Sequence, residues 1–167
     1  MTEFAQPVAL YLLRHAHAGD AETWDGDDDV RPLSDKGVRQ SERLGLHLAL
    51  AGFAPDIILS SPKLRASQTA DIVGAAIGKP VTIDERLGRP FGLGSLGKLL
   101  SDHRSPKQPV LVGHDPDFSE LLTTLTAART LPMKKGALAR VDLVIGVEPG
   151  GGVLRWLIPP DALPREG

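Results

Sequence analysis

An uninterrupted apolar run at residues 8–13 (VALYLL) ends directly at Arg14 and His15, and it restricts the possible folds more than any other feature. A strand without polar alternation has to be covered on both faces, which is typical of a parallel sheet between two layers of helices. Such sheets bind ligands beyond the carboxyl ends of their strands. We therefore predict that Arg14 and His15 face a binding crevice.

Two further strand-like runs end in the same way. Residues 56–60 (DIILS) lead into SPKLR, which ends at Arg65, and residues 109–113 (PVLVG) lead directly into His114. The carboxyl ends of parallel strands share one edge of the sheet, so these side chains are expected to meet Arg14 and His15 there. Two arginines and two histidines at one edge predict a pocket for an anion.

These four residue types suit the transfer of a phosphoryl group. Guanidinium forks match phosphate oxygens, which makes Arg14 and Arg65 candidates for binding them. A neutral imidazole can attack phosphorus and form a phosphoramidate, so His15 is the candidate nucleophile. We expect the arginines to keep His15 unprotonated, and His114 to contact the phosphoryl oxygens as a cation or to shield the nucleophile.

Residues 19–29 form an acidic, irregular segment that is too polar to pack, and they predict a loop or lid near the pocket. Arg31 follows this segment and is expected either to contact the substrate or to pair with its acids. His17 is close enough along the chain to line the pocket. We therefore add Arg31 and His17 to the candidate substrate-binding residues.

The remaining pattern predicts one three-layer α/β/α domain over residues 1–167, with a mostly parallel sheet and a C-terminal antiparallel hairpin. Ser34, Ser61-Pro62 and Asp115-Pro116 are typical helix starts. The expected helices are 34–51, 61–77, one that ends near residue 103, and 115–128; strands are expected at 80–83, 137–147 and 152–158. The tail from about residue 159 is expected to fray.

Composition narrows the class of protein. The chain of 167 residues is 41% hydrophobic and 24% charged, which is typical of a soluble globular domain. Its net charge of -2 predicts no general affinity for nucleic acid or for anionic membranes. There are no cysteines and no spaced His/carboxylate signature, so we expect no metal and no other cofactor. Without a recognisable signal peptide or spanning segment, the expected location is the cytoplasm.

Four motifs in order resemble the histidine phosphatase (phosphoglycerate mutase-like) superfamily. They are LLRHA at residues 12–16, SSPKLRASQTA at 60–70, VGHDP at 112–116, and DVRPLSDKG at 29–37, the last being similar to the small SixA-type phosphohistidine phosphatases. The resemblance implies a phosphoglycerate mutase-like fold, with His15 as the phosphate acceptor. It also implies that Arg14, Arg65 and His114 form the phosphate pocket.

Two positions depart from the family pattern. Ala16 replaces a glycine, a small change, and Arg89 lies about where the ester-cleaving relatives carry a glutamate proton donor. A phosphohistidine imidazole leaves more readily than an alkoxide and needs less help from an acid. We therefore predict a metal-independent phosphohistidine phosphatase that acts on a phosphorylated protein or a small phosphorylated compound.

Two alternatives to this interpretation remain open from the sequence. The first is that one of four nearby carboxylates replaces the missing acid, namely Asp20, Glu22, Asp25 or Glu85. The chain would then be a broad-specificity phosphomonoesterase acting on small molecules. The second alternative is a catalytically silent phosphate-binding module, although such a module has no need of His15.

Overall fold

The computed structural model describes residues 6–165. Six strands and four α-helices follow one another along the chain: β1 (Val8–Arg14), α1 (Asp35–Leu50), β2 (Ile57–Ser60), α2 (Leu64–Ile77), β3 (Val81–Ile83), α3 (Leu93–Asp102), β4 (Pro109–Gly113), α4 (Asp117–Thr126), β5 (Leu138–Leu143) and β6 (Gly152–Ile158). Short 3-10 helices cover Asp28–Val30, Glu85–Gly88 and Pro160–Ala162.

The strands form one sheet in the order β3-β2-β4-β1-β5-β6. The first four of these are parallel to one another, while β5 runs antiparallel to β1 and β6 antiparallel to β5. The carboxyl ends of β1, β2 and β4 therefore lie side by side at one edge. The predicted mostly parallel sheet with a C-terminal antiparallel hairpin is confirmed.

Alternate residues of β1 enter two separate cores, which explains its continuous hydrophobicity. Leu10 and Leu12 pack with leucines of α3 and α4 on one face of the sheet. Tyr11 and Leu13 pack with α1 and α2 on the other face. Neither face of the strand meets water, so a polar residue has no favourable position until Arg14. The result is the predicted three-layer α/β/α arrangement.

Two helices begin later than predicted. Ser34 caps α1 as expected, accepting the N–H of Gly37. Ser61 does not cap α2, which begins at Leu64, because the hydroxyl of Ser61 is turned towards His114. Asp115 precedes α4 by two residues and accepts the N–H of Ser119 from outside the helix.

The segment from residue 159 is not frayed as predicted. Pro160–Ala162 forms a 3-10 helix, in which Pro160 is buried and accepts a hydrogen bond from Arg43 of α1. Leu163 packs against the core below α1. These contacts are tertiary, so the local composition does not indicate them.

Within residues 6–165, no helix is long and apolar enough to cross a membrane.

Candidate active site

The carboxyl ends of β1, β2 and β4 open into a cavity of about 390 Å³. Six cationic side chains line it, and two carboxylates, Asp115 and Asp117, lie among them; the cations are Arg14, Arg31, Lys63, Arg65, Arg89 and Lys135. His15 and His114 also contribute to the wall. An excess of positive charge around two imidazoles makes the cavity suitable for an anion that carries several oxygens.

His15 is 6% exposed, and its Nδ1 atom lies 2.8 Å from the carbonyl oxygen of Ala16. A carbonyl only accepts, so Nδ1 carries the ring proton and Nε2 is the unprotonated nitrogen. Burial, ahead of the charges of neighbouring residues, lowers the pKa of His15 to about 3. The neutral state is thus maintained mainly by removal from water, rather than mainly by the arginines as the sequence suggested.

His114 lies beside His15, with the ring centroids 5.2 Å apart. Its Nε2 atom is 2.7 Å from the hydroxyl of Ser61, a residue that is fully buried. Burial, followed by the charges of Arg65 and Lys63, lowers the pKa of His114 to about 3. His114 is therefore neutral near pH 7, and the option of a cationic His114 is not supported in the free protein.

Two polar groups contact the guanidinium of Arg14 at the end of β1. Its Nη1 atom donates to the carbonyl oxygen of Met133 over 2.7 Å and lies 3.5 Å from the carboxylate of Asp115. The turn after Met133 is forced against β1, because the N–H of Gly136 donates to the carbonyl oxygens of Arg14 and His15. Gly136 has a φ of +80°, and a Cβ there would lie 2.8 Å from Pro160.

The same turn brings Lys135 into the cavity wall. Lys135 is not among the site residues predicted from the sequence. The only local signal is the Lys134-Lys135 pair just before β5. Burial and the nearby charge of Arg14 lower the pKa of Lys135. Lys135 is a sixth cation of the cavity only because β5 lies next to β1 in the sheet.

Asp28 connects two cations of the cavity. Arg31 Nε donates to its Oδ1 over 2.8 Å, and Arg65 Nη2 lies 3.1 Å from its Oδ2. Arg65 Nη1 also donates to the backbone oxygen of Asp28. Arg31 therefore pairs with the acidic loop, as one of the two alternatives predicted. It also lines the cavity, and its contact with a substrate stays a prediction.

Three buried nitrogens have no hydrogen-bond partner among the described residues: Arg14 Nε, Arg65 Nε and His114 Nδ1. Orphaned buried nitrogens are costly and rare in folded proteins. Each belongs to a side chain that lines the same cavity. A phosphoryl group with its three terminal oxygens offers acceptors suited to this set of donors.

His17 does not join this cavity. Its Nδ1 atom lies 2.7 Å from the hydroxyl of Ser34 at the start of α1, and its backbone N–H donates to Gln40. A Cβ at Gly37 would lie on the carbonyl oxygen of His17, so the loop and α1 are in close contact. His17 lines a neighbouring groove instead.

Arg89 lines the cavity where a proton donor would be expected, next to Gly88 and Pro90. The carboxylates considered from the sequence, Asp20, Glu22, Asp25 and Glu85, are not among the residues that line it. Asp115 and Asp117 do line the cavity, and neither is among the acids predicted from the sequence. Asp117 accepts the N–H of Phe91 over 3.2 Å, and Asp115 accepts both the N–H and the hydroxyl of Ser119.

No group of three or more His, Cys, Asp or Glu side chains in the described part of the chain is arranged to hold a metal ion.

Comparison with known families identifies this arrangement. The sequence model of the histidine phosphatase superfamily (branch 1) matches residues 10–95, which include Arg14, His15 and Arg65. The chain belongs to the histidine phosphatase superfamily. Family membership, together with the similarity to SixA given below, supports a phosphatase enzyme, and it confirms the phosphoglycerate mutase-like fold.

Within the superfamily, the SixA-type branch is the group the chain resembles. It is 28% identical to phosphohistidine phosphatase SixA of Escherichia coli over 159 residues, which cover 92% of this chain and 94% of that protein. The structure of the protein histidine phosphatase SixA complexed with tungstate superposes with a TM-score of 0.77 at 26% identity, covering 92% of this chain and 98% of the other.

Other histidine phosphatases share the fold. The alpha-ribazole phosphatase of Shigella flexneri superposes with a TM-score of 0.70 over 96% of this chain and 100% of its own. Its identity is 19%, so the likeness concerns the fold alone.

Proposed function

We propose that this histidine phosphatase hydrolyses phosphohistidine through a covalent intermediate on His15. The observation that carries the proposal is the hydrogen bond from His15 Nδ1 to the carbonyl oxygen of Ala16, in a cavity that holds the imidazole neutral. It leaves Nε2 with a lone pair beside the guanidinium groups of Arg14 and Arg65. The similarity to SixA, a phosphohistidine phosphatase, supports the same substrate class.

The reaction has two displacements. The Nε2 atom of His15 forms a bond to phosphorus while the phosphorus–nitrogen bond of the substrate breaks. A substrate ring that is protonated on its other nitrogen leaves as neutral imidazole, so the enzyme does not have to supply a proton. Water then attacks phosphorus, and the bond to His15 breaks to release inorganic phosphate. Arg14 and Arg65 would offset the negative charge on the phosphoryl oxygens in both steps.

The absence of a glutamate at the position of Arg89 supports a phosphoramidate over an ester. An alkyl ester leaves as an alkoxide and needs a general acid, which is typically worth about 10²–10⁴ in rate. Arginine is not a general acid in proteins, so Arg89 does not replace that glutamate.

A phosphomonoesterase is the second candidate, and one observation favours it. Asp115 and Asp117 line the cavity at the N-terminal end of α4. If one of them is protonated during the reaction, it can donate to an ester oxygen. The substrate of such a phosphomonoesterase would be a small phosphorylated compound.

The first test uses His15→Ala, with His47→Ala as the matched control, because His47 lies on α1 away from the cavity. Loss of the covalent nucleophile should reduce turnover at least about a thousandfold without unfolding the protein. Mass spectrometry after alkaline quenching, which preserves phosphohistidine, should find one phosphoryl group on wild type and on His47→Ala only. Binding of phosphate without turnover in wild type would instead support the silent binding module.

The second test separates the two substrate classes. Catalytic efficiency is measured on a phosphohistidine peptide and on several alkyl phosphates, for wild type, Asp115→Asn and Asp117→Asn. We expect the peptide to be the better substrate in all three proteins. If the alkyl esters are better for wild type and one aspartate variant loses that activity alone, then the protein is a phosphomonoesterase.

A further inference from the structure

A second and larger cavity, of about 1010 Å³, lies beside the candidate active site, between α1 and the C-terminal segment. Arg14 and Lys135 line both cavities, so the two adjoin each other. We call the larger one the basic groove. Its other cations are Lys36, Arg39, Arg43, Lys134 and Arg165.

The basic groove concentrates positive charge on a protein that is acidic overall. Seven lysine and arginine side chains line it, against the carboxylates of Glu42 and Asp161. Asp161 is already paired with Lys134 over 3.2 Å. The whole chain has a net charge of -2, so this excess is local and not a consequence of composition. A local field of one sign attracts a partner of the opposite sign.

The cations on α1 form a stripe. Lys36, Arg39 and Arg43 are three and four residues apart, which places them on one face of the helix. Lys36 and Arg39 are exposed, and neither forms an ion pair with another described residue. Like charges at these spacings repel each other and destabilise a helix slightly. An anionic partner would relieve this repulsion.

The length of the stripe distinguishes between possible partners. At 1.5 Å of rise per residue, the stripe from Lys36 to Arg43 extends about 10 Å along α1. A second phosphate of a small substrate would fill only the part of the groove near Arg14 and Lys135. Among the described residues no Phe, Tyr or Trp lines the groove, and the one imidazole there, of His17, is hydrogen-bonded to Ser34. The groove therefore lacks the row of aromatic rings on which proteins stack the bases of single-stranded nucleic acids.

We propose that the basic groove binds an acidic segment of a protein substrate while the phosphohistidine of that protein lies in the cavity with His15. This inference rests on the proposed function and adds to it that the substrate is a protein with acidic residues near its phosphohistidine. Arg14 and Lys135 connect the two subsites. The α1 stripe contributes specificity and takes no part in the chemistry.

The test compares two phosphohistidine peptides of equal length, one with four glutamates and one with four serines in place of them. The variant is Lys36→Glu/Arg39→Glu, which leaves every residue of the cavity unchanged. The control is Lys98→Glu/Arg129→Glu, which changes the net charge equally at exposed positions on α3 and after α4, across the sheet from α1. A phosphoramidate without any peptide serves as the small substrate.

Wild type and the control should have about tenfold higher catalytic efficiency on the glutamate peptide than on the serine peptide. This preference should decrease with added salt. Lys36→Glu/Arg39→Glu should lose that preference while it turns over the small phosphoramidate normally. Equal efficiency of wild type on the two peptides would overturn the inference, as would the same loss in the control.

Binding is measured separately with fluorescently labelled, unphosphorylated peptides, because this readout does not depend on catalysis. The glutamate peptide should bind wild type more tightly than the variant, and also bind His15→Ala. If a labelled oligonucleotide of equal charge binds more tightly than the glutamate peptide, the groove serves nucleic acid and the inference is wrong. Retained turnover by His15→Ala would contradict the proposed function alone and leave this binding result standing.

Discussion

The Nε2 atom of His114 and the Oγ atom of Ser61 lie 2.7 Å apart in the interior of the protein. The same hydroxyl accepts the N–H of Lys63, and among the described residues His114 Nε2 is the acceptor within reach of the hydroxyl proton. A buried hydroxyl is expected to donate, which puts the ring proton of His114 on Nδ1. Nδ1 is one of the three buried nitrogens without a partner in the described structure, so under the proposed function it is free to donate to a phosphoryl oxygen.

Ser61→Ala should therefore reduce catalytic efficiency on a phosphoramidate by about ten- to a hundredfold, by analogy with residues that orient a metal-bound histidine through a hydrogen bond. Ser60→Ala is the matched control, because Ser60 is equally buried but donates to the backbone of Ser61. The double variant Ser61→Ala/His114→Ala should be little worse than His114→Ala alone. Additive losses would show that Ser61 acts independently of His114.

Arg14→Ala and Arg65→Ala should each weaken inhibition by tungstate or vanadate. Each removes a charge-assisted contact worth about 1.5–3 kcal/mol, so the inhibition constant should rise by about ten- to a hundredfold. Arg140→Ala is the control, since Arg140 pairs with Asp142 on β5. Unchanged inhibition constants in both cavity variants would mean that the anion binds elsewhere.

Burial of neutral His15 makes stability dependent on pH in a definite direction. Its pKa of about 3 lies below the ordinary value of 6.5, so between these values the unfolded chain binds a proton that the folded protein refuses. The free energy of unfolding should fall as the pH decreases through this window, by at most about 1.4 kcal/mol per pH unit from this residue, and it should be insensitive to His15 above the window.

Urea unfolding of wild type and His15→Asn between pH 7 and pH 5 measures this contribution. The variant should lose less stability than wild type over that interval. Identical slopes in the two proteins would mean that His15 titrates normally in the folded state. Catalytic efficiency on the phosphoramidate should likewise not fall through protonation of His15 between pH 8 and pH 5.

Chelators should leave activity unchanged. The proposed nucleophile is an imidazole, and the six cations around the cavity repel divalent ions. The measurement is turnover of a phosphoramidate before and after dialysis against EDTA, with and without added Mg²⁺ or Zn²⁺. Activity that is lost on dialysis and restored by one of these ions would contradict the proposed mechanism.

Much of the site could be predicted because its residues lie at the ends of buried strands. Arg14 is the last residue of β1, and His15 and His114 directly follow β1 and β4, so this pattern is local. Arg65 is different in detail, since it lies in the first turn of α2 and is turned back towards the cavity by Asp28. Its motif was informative even though the predicted start of the helix was wrong.

Other parts of the site depend on contacts between distant segments. Lys135 reaches the cavity because β5 pairs with β1, a neighbour relationship that a run of alternating residues does not indicate. His17 follows the nucleophile by two residues but is turned away, because its ring is held at the hydroxyl of Ser34. Pro160 is buried against α1 for the same kind of reason.

The order of strands and helices, the two-sided burial of β1 and the residue types at the sheet edge could be predicted, because they follow from hydrophobic runs and their immediate ends. The neutral state of His15, the contact of His114 with Ser61 and the place of the basic groove beside the cavity arise only in the folded molecule. Each of these depends on how far a group is removed from water and on which distant side chain lies within hydrogen-bond distance of it, and both are properties of the packed molecule.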